Sequence, residues 1–186
     1  MKKERLVTLV EMALAIALGA VLNYMSVRLP IHIAGGSISL DMLPIIVIAL
    51  RRGPVAGVVT GALYGFVNLA MGPYIVHPAQ VVLDYPLAFG LVGLAGLLPS
   101  RPDAGDMAVA RAPIGAVVGG LARLASHYVS GVVFFGANAP EGQPVWLYSL
   151  VYNATYMLPS IVACAVAAAI VVPVLDRTVP ARSARG

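Results

Sequence analysis

The last long segment of the sequence, from Pro144 to Val174, is apolar almost without interruption. A helix needs about 20 apolar residues to cross the hydrocarbon core of a bilayer, and this segment exceeds that length. Its first turns nevertheless carry Tyr148, Tyr152 and Asn153, whose polar groups need hydrogen-bond partners in an apolar environment. The segment therefore predicts a membrane-spanning helix whose first turns carry polar groups with hydrogen-bond partners in the protein or in a ligand.

The whole chain shares this apolar character. Of its 186 residues, 60% are hydrophobic and 11% are charged, and the mean hydropathy is +0.90. A water-soluble domain of this size needs a largely polar surface, so the composition predicts an all-α integral membrane protein. The length allows about six spans with short loops. Because no room is left for a soluble domain, residues 1–186 are expected to form a single transmembrane domain.

Six apolar segments are predicted to form a bundle of transmembrane helices. They cover residues 6–27, 39–50, 54–71, 78–98, 112–135 and 144–174. The second segment is short and contains Asp41 and Pro44. The first segment follows a basic N-terminus, as a signal peptide does, but its apolar run continues to Tyr24, so a membrane anchor is expected rather than a cleaved leader.

The lysines and arginines predict the orientation of this bundle. If the N-terminus is cytoplasmic, ten of them lie in segments on that side: Lys2, Lys3, Arg5, Arg51, Arg52, Arg101, Arg111, Arg177, Arg182 and Arg185. The opposite segments carry only Arg28, and Arg123 lies inside the fifth span. Basic residues concentrate on the cytoplasmic side of membrane proteins. Both termini are therefore predicted to be cytoplasmic in a multi-pass protein of the plasma membrane.

The missing motifs argue against several kinds of function. The sequence has no G-x-x-x-x-G-K-[ST] segment for nucleotide phosphates, no H-E-x-x-H or cysteine cluster for a metal, and no basic, aromatic-rich patch for nucleic acid. Ser126 and His127 are neighbours on a helix and point about 100° apart, so they do not form a nucleophile–base pair. The lone Cys164 is expected to be a packed thiol. No enzymatic activity, metal or cofactor is expected.

Polar residues from three spans are predicted to lie at a similar depth near the outer surface. Asp84 and Tyr85 belong to the start of the fourth span, His127 to the outer half of the fifth, and Tyr148 and Asn153 to the start of the sixth. Facing lipid would cost several kcal/mol for each group, so they are expected to face one another or a ligand. A carboxylate among aromatic rings suits a small organic cation.

Each of these groups alone also fits a structural role. Hydrogen bonds between membrane helices contribute about 0.6 kcal/mol on average, and Tyr148 or Asn153 could serve in that way. Arg123 lies one turn from His127 on the same helical face. We expect Arg123 to be the ion-pair partner of Asp84.

Other side chains of the spans are interpreted as packing or anchoring groups. Tyr152 is expected to pack away from the polar cluster, and Trp146 to anchor the outer end of the sixth span at the membrane surface. Ala13 and Ala17 are four residues apart in the first span. Small residues at this spacing let another helix approach closely, which fits packing within the bundle and docking of a partner protein equally well.

Over essentially its whole length the sequence resembles the thiamine-specific substrate-binding (S) components of energy-coupling factor (ECF) transporters, which are vitamin importers of prokaryotes. The resemblance is strongest in the segments ALRRGPVAGVVTGALYGFVNL, VVLDYPLAFGLVGLAGL, SHYVSGVVFFGANAPEG and PVWLYSLVYNATYMLPS. It implies that the chain binds thiamine from outside and delivers it inward without chemical change. It also implies that the energy comes from two cytoplasmic ATPases, through a transmembrane coupling subunit.

The resemblance implies individual roles at the pyrimidine end of the ligand. The spacing of His127, Tyr148 and Asn153 matches the family's ligand-binding pattern, and these residues would hydrogen-bond the aminopyrimidine ring. Asp84 stands where the family typically has a glutamate that pairs with this ring. Phe135 stands where a tryptophan usually stacks on it.

Further residues correspond to other parts of the family pattern. Tyr85, Tyr74 and the loop of residues 32–36 would border the thiazolium side, and Tyr64 stands where another aromatic residue is expected. The HIAGGS loop lacks the tryptophan that often forms a lid. The Ala13-x-x-x-Ala17 motif matches the one that S components present to the coupling subunit.

Two departures from the family pattern leave alternatives open. Asp84 is one methylene shorter than glutamate, and Phe135 offers a smaller stacking face than tryptophan. A pyrimidine precursor or a thiamine analogue is therefore the alternative ligand. A stand-alone secondary carrier is the alternative mechanism.

Overall fold

The computed structural model describes residues 2–27, 36–98 and 106–178, and these residues form six helices. The helices are α1 Lys2–Tyr24, α2 Met42–Arg52, α3 Pro54–Met71, α4 Pro78–Leu97, α5 Asp106–Phe134 and α6 Val145–Thr178. All of them except α2 are long and apolar enough to cross a membrane. The prediction of an all-α membrane protein with six helices is confirmed, and the predicted segments differ from the observed helices only at their ends. The expectation that the second segment is itself a membrane span is wrong.

α2 has 11 residues and, at about 1.5 Å per residue, is too short to cross a hydrocarbon core of about 30 Å. Most of its side chains are buried, namely those of Met42, Pro44, Ile45, Ile46, Ile48, Ala49 and Leu50. Five of them, Met42, Ile45, Ile46, Ala49 and Leu50, form the hydrophobic core together with buried residues of α3, α4, α5 and α6. Ile48 packs instead against Met12 and Ala15 of α1. α2 therefore lies inside the bundle, and its connection to α3 turns at Gly53, where a φ of 93° favours glycine.

Glycines of α3 bring this helix close to α4. A Cβ atom at Gly61 would collide with the carbonyl oxygen of Phe89, and one at Gly65 would lie 2.6 Å from the backbone of Tyr85. Small residues four apart are a common means of close approach between membrane helices. The contact at Gly65 brings α3 close to the part of α4 that carries Asp84 and Tyr85 of the predicted site.

The backbone of α4 changes its winding along its length. It consists of an α-helical turn Pro78–Val82, a π-helical turn Leu83–Leu87, an α-helical turn Ala88–Val92 and a 3-10 turn Gly93–Leu97. Pro86 lies in the π turn and has no N–H to donate. Ser126 of α5 donates a 2.6 Å hydrogen bond to the carbonyl oxygen of Leu83. This bond joins α5 to the π turn that presents Asp84 and Tyr85.

Two ion pairs join helices at the end of the bundle opposite the predicted site. Arg52 of α2 binds Glu11 of α1 through two contacts of 2.6 Å. Arg51 pairs with Asp176 of α6 at 3.5 Å. The short α2 is thereby anchored to both terminal helices.

The chain between α1 and α2 returns to the bundle through a pair of backbone hydrogen bonds. The amide nitrogens of Val27 and Ile38 each donate to the other residue's carbonyl oxygen, at 3.0 and 2.9 Å. Residues 28–35 between them, which include most of the predicted loop at 32–36, lie outside the described residues. Gly36 and Ser37 are described and border the cavity that follows.

Candidate ligand-binding site

A cavity of about 170 Å³ lies at the end of the bundle where α1, α3 and α5 end and where α2, α4 and α6 begin. Its lining residues are Asn23, Gly36, Ser37, Asp41, Asn68, Tyr74, Gln80, Asp84, Tyr85, Arg123, His127, Gly131, Phe135, Tyr148, Ser149, Tyr152, Asn153 and Tyr156. Seven of the eight predicted ligand-binding residues are in this set, and the exception is Tyr64. The topology thus brings together residues that are far apart in the sequence.

Asp84 is held from two sides within this cavity. Its Oδ2 accepts a 2.6 Å hydrogen bond from Nε2 of Gln80, one turn earlier in α4. Its Oδ1 lies 3.1 Å from Nδ1 of His127 on α5. Gln80 is only 1% exposed and also donates to the carbonyl oxygen of Tyr74 at 3.1 Å. The carboxylate is therefore fixed in direction by α4 and α5 before any ligand arrives.

Arg123 pairs with Asp41 and not with Asp84, so the predicted ion pair is wrong. Its Nη1 lies 3.4 Å from Oδ1 of Asp41, and its guanidinium carbon lies 3.8 Å from the centre of the Phe89 ring. Asp41 immediately precedes α2 and is 2% exposed. Because α2 is short and buried in the bundle, Asp41 just before it lies within reach of Arg123, whereas Asp84 is already bound by His127.

Tyr64 lies beneath the cavity instead of lining it. Its side chain is fully buried, and its hydroxyl is 3.2 Å from both Oδ2 of Asp41 and the carbonyl oxygen of Gly19. Its ring packs edge-on against Phe89 at 4.6 Å. The geometry gives Tyr64 a supporting role for Asp41, so direct contact with a ligand, which the sequence suggested, does not fit its position.

A row of tyrosines on α6 forms one wall of the cavity. The ring centres of Tyr148 and Tyr152 are 5.7 Å apart, and those of Tyr152 and Tyr156 are 6.3 Å apart. Residues four apart share one face of a helix, so Tyr152 lies on the same wall as Tyr148. The expectation that Tyr152 packs away from the site is wrong for this reason.

Asn153 is 6% exposed and is bound by its own helix. Its Nδ2 donates to the carbonyl oxygen of Ser149 at 2.9 Å, and its Oδ1 accepts a 2.6 Å hydrogen bond from the hydroxyl of Tyr156. Gly131 of α5 leaves space for this group, because a Cβ atom there would lie 3.1 Å from Nδ2 of Asn153 and would collide with the hydroxyl of Ser149. These bonds fix the direction of the carboxamide at the wall of the cavity.

Aromatic residues border the outer part of the cavity. The rings of Tyr74 and Phe135 are 5.9 Å apart, and the backbone N–H of Tyr74 donates to the hydroxyl of Tyr85 at 2.9 Å. Trp146 lies outside the lining set and is 54% exposed, in agreement with a role as an interfacial anchor. Flat rings at this position suit a planar ligand.

Some lining residues were not predicted as site residues from the sequence, notably Gln80, Asn68 and Asn23. Gln80 carried a usable signal, since it lies four residues before Asp84 in an otherwise apolar helix. Asn23 and Asn68 lie near the ends of α1 and α3, where a polar residue is also common for reasons of solvation. Asn23 and Asn68 reach the same cavity only because their helices are neighbours, and the spacing of residues along the sequence does not reveal which helices are neighbours.

The assembled groups suit binding and not bond cleavage. They offer a carboxylate, an imidazole, a carboxamide and several phenols around one small cavity. Ser126, the hydroxyl next to His127 in sequence, donates its hydrogen bond to the backbone of α4. Within the described part of the chain, no group of three or more His, Cys, Asp or Glu side chains could hold a metal ion.

The pair of alanines in the first span faces away from the bundle. Ala13 and Ala17 are exposed, whereas Met12 and Ala15 on the same helix are buried against α2 and α3. Packing of the alanine pair within the bundle therefore does not explain the motif. The surface remains available to lipid or to another protein.

Comparison with known proteins points to one family. A family model described as "Thiamine transporter protein (Thia_YuaJ)" matches residues 9–180. The chain is 41% identical over 172 residues to the thiamine transporter ThiT of Bacillus subtilis (strain 168), and the match covers 89% of this chain and 90% of that one. It is 35% identical over 163 residues to the thiamine transporter ThiT of Lacticaseibacillus paracasei, with coverages of 81% and 79%.

A solved structure has the same fold. The chain matches ThiT from Listeria monocytogenes with a TM-score of 0.78 and 33% identity, over 95% of this chain and 96% of that one. The family model, the relatives and the fold thus agree over almost the full length. This protein belongs to the thiamine transporter (Thia_YuaJ) family, a family of transporters and not of enzymes.

Proposed function

We propose that this protein binds thiamine at the outer face of the plasma membrane and delivers it inward as the substrate-specific S component of an ATP-driven ECF importer. Family membership supports the transport of thiamine. The observation that carries the proposal for the site is the position of Asp84. Its carboxylate is held by Gln80 and His127 inside a cavity whose outer part is bordered by the rings of Tyr74 and Phe135.

The cavity offers partners for both rings of thiamine. Asp84, His127, Tyr148 and Asn153 provide acceptors and donors for the aminopyrimidine ring, and Phe135 provides a stacking face. The thiazolium ring carries a positive charge, which the carboxylate of Asp84 and the negative faces of aromatic rings attract. This assignment of residues to ring atoms follows the family resemblance and the common lining of one cavity.

Coupling to partner proteins is the second part of the proposal. The chain lacks a phosphate-binding loop, so the energy would come from two separate cytoplasmic ATPases through a transmembrane coupling subunit. The exposed Ala13 and Ala17 form a surface on which a coupling helix could pack closely. The excess of basic residues in the segments on the side of both termini supports a cytoplasmic location for them. No cofactor is required, because the ligand is carried unchanged.

Calorimetry of the purified protein in detergent tests the ligand. Thiamine is expected to bind with one-to-one stoichiometry, while riboflavin and biotin, as control vitamins, are expected to give no binding heat. Absence of binding heat with thiamine would contradict the proposal. A pyrimidine precursor would then be the next compound to test, because Asp84 and Phe135 depart from the family pattern at the pyrimidine side.

A further inference from the structure

Arg123 is fixed in direction by contacts on three sides. Its Nη1 pairs with Asp41 at 3.4 Å, its guanidinium carbon lies 3.8 Å above the ring of Phe89, and its Nε–H donates to Nε2 of His127 at 3.3 Å. Asp41 is in turn bound by the hydroxyl of Tyr64. Arg123 thus presents one N–H group to the imidazole from a rigid position.

This contact restricts the protonation of His127. An arginine N–H can only donate, so Nε2 of His127 must accept with its lone pair and carries no proton. The proton of a neutral imidazole then resides on Nδ1, from which it is donated to Oδ1 of Asp84 at 3.1 Å. An imidazolium would instead direct an N–H at the guanidinium, where two donors and two like charges would oppose each other.

The other groups around His127 are compatible with a neutral ring. On α6, the ring of Tyr156 packs edge-on at 6.1 Å, and Asn153 donates to the backbone carbonyl oxygen of His127 at 3.3 Å. On α4, Asp84 accepts from Gln80 through its second oxygen. Arg123 and Asp84 thus contact opposite nitrogens of the ring, Arg123 as a donor and Asp84 as an acceptor.

The charge of the cavity depends on this balance. Among the described residues that line the cavity, the formally charged side chains are Asp41, Asp84 and Arg123. With His127 neutral, Arg123 offsets Asp41, and the carboxylate of Asp84 leaves one net negative charge. With His127 protonated, the net charge of the lining would be zero.

We infer that Arg123 is a positioning residue that keeps His127 a neutral Nδ1–H donor, so that Asp84 remains an uncompensated anion for a cationic ligand. The part of this inference that concerns the cation rests on the proposed function. The part that concerns the imidazole is a property of the ligand-free protein. The two can therefore fail separately.

The test is nitrogen-15 NMR of the ligand-free protein with labelled histidine, which reports which ring nitrogens carry protons. The chain has three histidines, and His127→Gln assigns the signals of His127. The informative variant is the double substitution Arg123→Met with Asp41→Asn. It removes the N–H donor of Arg123 together with the carboxylate of Asp41, which would otherwise be left without its cation. Because one positive and one negative charge are removed, the net formal charge of the lining changes only if the protonation of His127 changes.

In the unaltered protein at neutral pH, His127 is expected to carry a proton on Nδ1 and none on Nε2. In the double variant both ring nitrogens are expected to carry protons, because Nδ1 still faces Asp84 and Nε2 no longer faces a donor. Arg52→Met with Glu11→Gln is the matched control, because it removes an arginine–carboxylate pair at the opposite end of the bundle, and it is expected to leave the His127 signals unchanged. An imidazolium in the unaltered protein, or an unchanged neutral ring in the double variant, would overturn the inference.

Binding measurements supply the second readout. The double variant is expected to lose at least tenfold in affinity for thiamine. It is expected to lose less for an analogue in which a neutral ring replaces the thiazolium, because only the cation depends on the net charge. Equal losses for both compounds would overturn the electrostatic role of Arg123. If the NMR result is as expected and neither protein binds thiamine, the role of Arg123 toward His127 is supported and the proposed ligand is wrong.

Discussion

At the scale of single residues, the candidate site depends on polar side chains whose direction is set by a second polar side chain. Asn153 is oriented by Ser149 and Tyr156, and His127 is placed between Asp84 and Arg123. Inside an apolar bundle, a group with a fixed direction loses little conformational entropy when a ligand binds. The same groups would be costly to bury without these partners.

Removing either the carboxamide of Asn153 or the imidazole of His127 should weaken thiamine binding. Asn153→Ala and His127→Ala are each expected to reduce the binding free energy by about 1 kcal/mol or more, because each deletes a polar partner in a desolvated cavity. Calorimetric titration with thiamine measures the change. Trp146→Phe is the control, since this exposed residue lies outside the lining, and it should retain affinity. Unchanged affinity in both alanine variants would contradict the proposed pocket.

Gly131 is expected to be a site where a single methyl group disturbs the cavity. Gly131→Ala would place its Cβ atom against the hydroxyl of Ser149 and close to Asn153, and such overpacking typically costs about 1–3 kcal/mol. We expect a lower thermal midpoint and weaker thiamine binding. Gly90→Ala is the matched control, because its Cβ atom would meet its nearest neighbour at an ordinary 3.7 Å. Equal behaviour of the two variants would contradict a tight contact between α5 and α6 at Gly131.

At the scale of elements, the irregular winding of α4 determines where the carboxylate lies. The π turn Leu83–Leu87 contains both Asp84 and Pro86, and π turns occur frequently at functional sites. Pro86 has no N–H, so the carbonyl group of Val82, one turn earlier, loses its usual helical donor. The hydrogen bond from Ser126 is a separate contact, which couples α5 to α4 at the carbonyl oxygen of Leu83.

Deleting that hydroxyl should destabilise the protein. Ser126→Ala removes the 2.6 Å hydrogen bond to the carbonyl oxygen of Leu83, and the loss of one such bond typically costs about 0.5–1.5 kcal/mol. A thermal unfolding curve in detergent should show the loss. Thr178→Val is the control, because the hydroxyl of Thr178 bonds to the carbonyl oxygen of Val174 at an exposed position. A similar small effect of both substitutions would argue against a structural role of Ser126.

α1 presents the exposed alanine pair that is proposed to dock the coupling subunit. Ala17→Leu adds bulk to the exposed alanine pair, at a position outside the cavity lining. It is expected to preserve thiamine affinity but to reduce ATP-dependent uptake at least tenfold in cells that contain the coupling proteins. Ala125→Leu, at an exposed alanine of α5, is the matched control and should transport normally. Equal loss of binding and uptake in Ala17→Leu would mean that this alanine supports the fold instead of docking.

Uptake by the protein alone distinguishes the two mechanisms. In sealed vesicles without partner proteins, ion-driven thiamine accumulation would favour the stand-alone carrier over an S component. An S component is expected to bind thiamine in these vesicles without accumulating it.

At the scale of the whole molecule, the two ends of the bundle differ in chemistry. One end carries the cavity, and the other carries the ion pairs of Arg51 and Arg52 and leads to both termini. This polarity agrees with the charge distribution of the sequence, from which the cavity end is expected to face outward.

Accessible cysteines can test the orientation directly. In a Cys164→Ala background, Glu141→Cys is expected to react with a membrane-impermeant maleimide on intact cells, because residue 141 lies in the segment between α5 and α6. Lys3→Cys is expected to react only after the membrane is permeabilised. The parent Cys164 is buried, so its removal should change background labelling little. The reverse pattern would contradict cytoplasmic termini.

The sequence alone determined the class of protein, the positions of the helices and most of the polar residues near the cavity. These features follow from local rules: an apolar run of sufficient length must cross lipid as a helix, and a polar group within it must face inward. The depth of Asp84, His127 and Asn153 follows from counting residues along helices of known rise. Whether Ala13 and Ala17 face the bundle or its surroundings could not be decided from the sequence, since spacing does not reveal which neighbours a helix has.

Only the tertiary structure decided the pairings within the site. Asp41, which precedes the short buried α2, pairs with Arg123, and Asp84 pairs with His127 and Gln80. Tyr64 lies beneath the cavity and Tyr152 lines it, because the packing of the helices decides which face of each helix is turned toward the cavity. Which two groups meet depends on interhelical distances of a few ångströms. These distances result from the packing of all the helices together, so no local segment of the sequence specifies them.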